Sequence, residues 1–131
     1  MKASPSVWTG RVLSGLFVLF MLGASIAPKF LAPQIANAAM EPLGWPTKYV
    51  LLIGTLELAF TLLYVIPRTS LLGAVLMTGL LGGAVAANLR LDMPLFSHTL
   101  FGIYLGLAMW GGLWLRDESL RAMFPIRRSP A

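Results

Sequence analysis

The fold is decided by residues 49–66, YVLLIGTLELAFTLLYVI, which end at Pro67 and Arg68. The apolar residues of this stretch are continuous rather than alternating, which is typical of a helix surrounded by lipid and not of a barrel strand. About 20 helical residues, at 1.5 Å each, cross the ~30 Å hydrocarbon core of a bilayer. We therefore expect a membrane-spanning helix here, with one charged residue, Glu57, near its centre.

Three further stretches have the same character: residues 8–27, 70–89 and 98–115. Every connection between the four is short except the first, so neighbouring helices should be antiparallel. The sequence thus predicts an all-α fold, a transmembrane four-helix bundle with up-down-up-down topology. Residues 1–131 form a single domain in this interpretation, and residues 116–131 are its basic C-terminal tail.

The composition agrees with a membrane protein. Of the 131 residues, 57% are hydrophobic and 11% are charged, whereas about 25% are charged in an ordinary soluble domain. The absence of cysteine excludes a disulfide scaffold and thiol redox chemistry. Although the net charge is +5, we expect no nucleic-acid binding, because the basic residues follow the ends of the apolar stretches and belong beside lipid head groups.

The basic residues also predict the orientation. Four spans place both termini on one side, which carries seven positive residues, against three on the other side. Positive residues collect on the cytoplasmic side, so we expect a multi-pass protein of the bacterial inner (cytoplasmic) membrane with both termini in the cytoplasm. The seven are Lys2, Arg11, Arg68, Arg116, Arg121, Arg127 and Arg128, and the three are Lys29, Lys48 and Arg90.

A second interpretation of the first apolar stretch stays open. Lys2 and Arg11, an apolar run and then Ala36-Asn37-Ala38 follow the order of a secretory signal peptide and its cleavage site. The run is long for a signal peptide, however, and about ten residues separate its end from the small residues. A retained first helix is the better interpretation.

Prolines and glycines predict the remaining features. The connection 28–48 contains four prolines, between which residues 34–40 should form a short interfacial helix. Small residues let helices approach closely in lipid. They recur at four-residue spacing in Gly79, Gly83 and Ala87, and again in Gly102 and Gly106. We expect contacts within the bundle there, with a seam between two copies as the alternative.

Glu57 is the one charged residue that topology does not explain. An acidic side chain at the centre of a span costs about 2.5 kcal/mol or more to insert. Gly54, Thr61 and Tyr64 share its helical face. We expect this face to point into the bundle, with Glu57 either protonated or paired with a cation or a hydrogen-bond donor.

The predicted topology brings polar residues to the outer end of the bundle. Lys29 follows the first span, Asn88 and Arg90 end the third, and His98 begins the fourth. We expect these four residues and Glu57 to build a ligand-binding pocket that opens outward, with Tyr64 a turn or two deeper. The alternative is that Glu57 only ties helices together, while Arg90 and His98 anchor the chain in the interface.

The sequence contains no recognised catalytic motif. It has no Gly-rich phosphate loop, no histidine pair at metal spacing and no Ser-His-acid set, so catalytic residues stay unassigned. One histidine and no cysteine exclude a bis-histidine haem and an iron–sulfur cluster. We expect no metal and no permanent cofactor, and a quinone or a lipid as the bound molecule that suits the pocket.

Several motifs resemble the DoxX-like family of small four-helix bacterial membrane proteins, and the resemblance extends from about Gly10 to Pro125. Family members often have a histidine where this chain has Asn88, which weakens any proton-transfer role at that position. The motifs are Gly23–Phe30, Leu43–Pro46, Ile53–Leu58, Ile66–Thr69, Gly73-Ala74, Leu81–Ala86, Trp110–Asp117 and Leu120-Arg121.

The resemblance implies a fold more than an activity. The wider superfamily includes a subunit of thiosulfate:quinone oxidoreductase and a methylamine-utilisation component, which implies a quinone-linked or accessory role. Three classes of function stay open. They are an accessory subunit or small-ligand binder of a membrane redox system, a membrane enzyme in which Glu57 and His98 pass a proton to a lipid-like substrate, and a structural or transport component. The expected partners are the lipid bilayer and either a larger redox complex or further copies of this chain.

Overall fold

The first long helix runs from Pro5 to Leu31. In the computed structural model, which describes residues 4–127, α1 (Pro5–Phe20) continues through a π-helical turn (Met21–Ile26) into α2 (Ala27–Leu31). Pro28 has no amide hydrogen, and its ring would collide with the preceding turn of a regular α-helix. The wider π turn before it relieves this collision. The prediction that the helix ends at Ala27 was therefore wrong.

The connection to the second long helix is itself helical. It contains α3 (Pro33–Met40), which confirms the predicted short helix, and 3-10 turns at Glu41–Leu43 and Thr47–Tyr49. Gly44 between these turns has a φ of 79°, a left-handed conformation that favours glycine. The turn at Gly44 lies beside Ala86, Ala87 and Arg90.

Three of the remaining helices lie close to their predicted positions: α4 (Val50–Val65), α5 (Ser70–Arg90) and α6 (Phe101–Arg116). A short fourth helix, α7 (Glu118–Met123), was not predicted and lies in the segment that was expected to be a basic tail. The bounds of α4 and α5 differ from the predicted segments by one residue at most. His98 was expected to begin a helix, but it lies in a separate π turn, Leu95–Thr99, so α6 starts later than predicted.

The described residues form helices and no strands. Three helices are long and apolar enough to cross a membrane: Pro5–Leu31, Thr47–Val65 and Pro67–Arg90. α6 has 16 residues and is shorter than these three. Large apolar side chains are exposed on each long helix, as is expected where lipid replaces water as the solvent. Examples are Leu16, Leu19, Leu51, Leu62, Leu72, Val75 and Leu107.

The long helices pack side by side, and contacting helices are antiparallel. α1 packs on α6, with Gly10 opposite Gly112 at one end and Phe20 opposite Phe101 at the other. α5 lies between α4 and α6. The π turn of the first helix packs against α4. Two of the residues used to predict orientation, Lys2 and Arg128, lie outside the described part of the chain.

Glycines bring three pairs of helices together at backbone distance, and in the pair α4 and α5 a Cβ atom on Gly73 would collide with the backbone of Tyr64. A Cβ atom on Gly10 would lie 2.6 Å from the carbonyl oxygen of Gly112, and one on Gly102 would lie 3.1 Å from that of Leu81. The close approach expected of Gly102 is confirmed. That expected of Gly79 and Gly83 was wrong, because a Cβ atom on either would meet nothing within 4 Å. These two glycines border open space.

Candidate functional site

Glu57 lies on the buried face of α4. Gly54, Glu57, Thr61 and Tyr64 are all buried, as their spacing predicted, and Glu57 is 5% exposed. The opposite face of α4 carries exposed leucines. The carboxylate therefore faces other helices, where it needs a partner.

That partner is Lys29, one of the polar residues expected near Glu57, and of the alternatives left open by the sequence it is pairing with a cation that the structure has. Its Nζ lies 2.7 Å from Glu57 Oε1, with the two side chains 11% and 7% exposed. Ser25 donates its hydroxyl to Oε2 of Glu57 and accepts from Lys29 Nζ at 3.0 Å. The ammonium group is the charge partner of Oε1. Lys29, Ser25 and Glu57 thus form one polar cluster, in which Glu57 is buried and the other two residues are partly buried.

Gly54 makes the ion pair possible. A Cβ atom at Gly54 would lie 3.0 Å from Cβ and 3.1 Å from Cδ of Lys29. Without a side chain there, the stem of Lys29 crosses α4 one turn before Glu57 and brings its ammonium group to the carboxylate. The glycine and the glutamate on one face of α4 therefore belong to the same site.

Ser25 was missed by sequence reasoning. It lies in the π turn Met21–Ile26, and turns of this kind interrupt helices frequently at functional sites. Its spacing of four residues from Lys29 places both side chains on one helical face. One feature of the sequence could have identified Ser25. It is a serine that lies one turn before a lysine, in an otherwise apolar stretch that ends near a proline.

The polar cluster borders a cavity of about 400 Å³. Asn88 from α5 and His98 from the π turn before α6 line the same cavity, together with Glu57 and Lys29. The rest of the wall is mostly apolar. It includes Phe20, Met21, Trp45, Met77, Gly79, Gly83, Phe101 and Leu105. The space beside Gly79 and Gly83 is therefore this cavity.

Arg90 does not belong to the Glu57 cavity. It lines an adjoining cavity of about 420 Å³ beside the Leu43–Pro46 turn and Tyr49, with Leu43 and Trp45 in the wall between the two. The reason is that Arg90 lies two residues after Asn88 on α5, so its side chain leaves the helix in another direction. Its predicted place in the pocket was wrong.

Tyr64 is also separate from the Glu57 cavity. Its hydroxyl donates to the carbonyl oxygen of Met109 at 2.6 Å and accepts from Ser14 at 2.8 Å. Ser14 in turn accepts from Nε of Arg116 at 3.1 Å. Tyr64 therefore ties α1, α4 and α6 together at the opposite end of the molecule, and its predicted place near the pocket was wrong.

The cavity offers a particular chemistry to a ligand. Lys29 and Glu57 neutralise each other, so the polar end of the cavity carries no net charge from this pair. Mostly apolar pockets of 300–1,000 Å³ with few polar groups are typical small-molecule sites. Within residues 4–127 no group of three or more histidine, aspartate or glutamate side chains is arranged to hold a metal ion.

These features define a class: an all-helical protein whose apolar helices suit a membrane and whose buried ion pair borders a cavity. A model of the DoxX-like family matches residues 12–112, and the chain belongs to this family. The resemblance found in the sequence motifs is thereby confirmed. Family membership and the apolar helices together indicate a membrane protein. Comparisons with curated proteins and with solved structures gave no match.

Proposed function

We propose that the chain crosses the bacterial inner membrane four times, as an up-down-up-down bundle with both termini in the cytoplasm. The antiparallel contacts of the long helices support this topology. α6 has 16 residues, about 24 Å of helix at 1.5 Å per residue. The π turn Leu95–Thr99 precedes it and extends the helical segment towards the membrane surface. The greater number of basic residues near the termini supports the orientation.

Within this bundle, the proposed function is to bind a small, uncharged amphiphile of quinone-like or lipid-like type in the Glu57 cavity. The observation that carries the proposal is the buried Glu57–Lys29 pair at the edge of a mostly apolar cavity. A ligand with an apolar body would fill the wall, and its hydroxyl or carbonyl group would meet Glu57, Asn88 or His98. The neutral pair disfavours a ligand that carries a full charge.

The biological role proposed is that of an accessory subunit of a membrane redox system, which would deliver or hold the amphiphile. A second candidate is a membrane enzyme that acts on a lipid-like substrate. It is favoured by the fact that Glu57 and His98, two groups able to move protons, line the same cavity. Co-purification with a larger oxidoreductase would support the first role, and turnover by the isolated chain would support the second.

The binding function is tested by mass spectrometry of small molecules that co-purify with the full chain. Gly83→Leu adds a side chain to the cavity wall at a position where a Cβ atom would meet nothing within 4 Å, and Glu57→Gln removes the carboxylate. The control is Glu41→Gln, an exposed acidic residue outside the cavity.

We expect one amphiphile in the wild type and in Glu41→Gln, and none in Gly83→Leu. In Glu57→Gln its occupancy should fall about tenfold, because hydrogen bonds to charged groups contribute ~1.5–3 kcal/mol. A melting temperature is measured for each variant in order to establish that it is folded. Retention of the amphiphile in folded Gly83→Leu would refute the proposed site.

A further inference from the structure

A third cavity, of about 390 Å³, lies at the end of the molecule opposite to Glu57. It opens between α1 and the end of α4. Two arginines, Arg11 and Arg116, line its polar side, and an apolar wall that includes Val18 and Val65 lines the rest. The cavity therefore combines positive charge with an apolar surface.

No carboxylate neutralises these two arginines within residues 4–127, where Lys29–Glu57 is the one ion pair. The nearest acidic residue in sequence, Asp117, accepts a hydrogen bond from the amide of Leu120 and so caps α7. The two cations thus differ from Lys29, whose charge is balanced inside the protein. The cavity is left with a net positive charge.

The guanidinium group of Arg116 is held in place by the buried polar network. Its Nε donates to Ser14, and its central carbon lies 5.4 Å from the centre of the Tyr64 ring. Its terminal nitrogens donate no hydrogen bond within the described part of the chain. Arg121, by contrast, donates to the carbonyl oxygens of Trp114 and Leu115 at the end of α6. Arg121 thus bonds to the end of α6, whereas Arg116 lines the cavity.

Arg11 approaches the cavity from α1. Its guanidinium carbon lies 5.0 Å from the centre of the Trp8 ring, and it makes no hydrogen bond within residues 4–127. Both arginines therefore keep terminal N–H groups available for an anion, and a planar guanidinium group matches the oxygens of a phosphate.

We infer that this cavity binds an anionic phospholipid. Its phosphate would lie between Arg11 and Arg116, and one acyl chain would follow the apolar wall along α1. Charge complementarity favours an anionic head group, because basic pockets between membrane helices bind such lipids. The acyl chain would pass over Gly15, where an added Cβ atom would meet nothing within 4 Å.

The experiment is native mass spectrometry of the full chain in detergent, titrated with phosphatidylglycerol and with phosphatidylcholine of the same acyl chains. Arg11→Gln and Arg116→Gln test the phosphate contacts, and Gly15→Leu tests the acyl groove without changing charge. Arg68→Gln is the matched control, since this exposed arginine lies at the same end of the molecule but outside the cavity. Free glycerol phosphate at equal concentration distinguishes a lipid from a soluble phosphate.

We expect the wild type to prefer phosphatidylglycerol. Arg11→Gln and Arg116→Gln should each lower the affinity about fivefold, because one basic residue near an anionic lipid surface contributes about 1 kcal/mol. Gly15→Leu should weaken binding about tenfold, because it would move roughly two methylene groups of the acyl chain out of contact with the apolar wall. Arg68→Gln should bind as the wild type does. Arg11→Gln keeps the test decisive if Arg116→Gln does not fold, because Arg11 is exposed.

Two results would overturn the inference. Equal weakening by Arg68→Gln would show that diffuse charge, and not the cavity, attracts the lipid. Equal binding of glycerol phosphate and phosphatidylglycerol would show that no acyl chain is recognised. Neither result would affect the proposed ligand of the Glu57 cavity, because the two cavities share no lining residue.

Discussion

Lys29 Nζ on the first long helix lies 2.7 Å from Glu57 Oε1 on α4; the Glu57 side chain is buried, and that of Lys29 is largely shielded at 11% exposed. The pair joins two helices that are separated in sequence by a proline-rich connection. Buried charges are expensive unless they are paired, and breaking such a pair leaves one charge without compensation. The stability of the protein should therefore depend on both partners together.

Lys29→Met should lower the free energy of unfolding by about 3–5 kcal/mol, because it leaves Glu57 buried without its cation. The double variant Lys29→Met/Glu57→Leu should be considerably more stable than the single one. Thermal unfolding in detergent measures both. Lys48→Met is the control, since Lys48 is exposed, lies over the Tyr49 ring and forms no ion pair within residues 4–127. Equal stability of the Lys29 and Lys48 variants would contradict the prediction.

Gly54→Ala should destabilise the protein by about 1–3 kcal/mol, because the new Cβ atom would lie 3.0 Å from Cβ of Lys29 and displace its stem. Gly79→Ala is the matched control on α5. It meets nothing within 4 Å and should raise stability by about 0.5–1 kcal/mol through the lower entropy of the unfolded chain. The measurement is the melting temperature of each variant, which should be lower for Gly54→Ala than for Gly79→Ala. The opposite order would contradict the prediction.

Tyr64→Phe should cost about 1–3 kcal/mol, since it removes a buried hydroxyl that joins Ser14 to the carbonyl of Met109. Tyr104→Phe should cost nothing measurable, because Tyr104 is exposed and its hydroxyl has no partner within residues 4–127. Chemical or thermal unfolding of the two variants in the same detergent provides the comparison. A similar loss in both would indicate that the network contributes no stability.

Thr61→Val should leave the protein equally stable or make it more stable by about 1 kcal/mol. Thr61 is 1% exposed and its hydroxyl oxygen has no hydrogen-bond partner within the described residues, so the change removes an unsatisfied polar atom. Marked destabilisation in the unfolding experiment would show that the hydroxyl has a partner in the membrane, such as a bound molecule.

Single cysteines should report the topology without background, because the chain contains none. A membrane-impermeant maleimide should label Gln34→Cys and Ser97→Cys in intact cells, and Ser119→Cys only after permeabilisation. Labelling of positions 97 and 119 from the same side would mean that α6 does not cross the bilayer. Labelling of position 119 alone in intact cells would show that the orientation is the reverse of the proposed one.

Sequence reasoning succeeded where the information was local. The apolar stretches, Pro67 and the turn residues defined α4 and α5 to within one residue, and the spacing of Gly54, Glu57, Thr61 and Tyr64 identified the buried face of α4. It failed at Pro28, where a π turn lets the helix continue. It also failed at Gly79 and Gly83, because small residues at regular spacing indicate available space but not whether a helix or a cavity occupies it.

The sequence by itself determined that the helices are apolar enough for lipid and that Glu57 must find a partner, because both follow from composition and helical periodicity. Only the tertiary structure decided which polar residues meet. It joined Lys29 and Ser25 to Glu57, brought Asn88 and His98 to the same cavity, and assigned Arg90 and Tyr64 to other parts of the molecule. The physical reason is that a helix turns about 100° per residue, so the direction of each side chain depends on a register that only packing fixes.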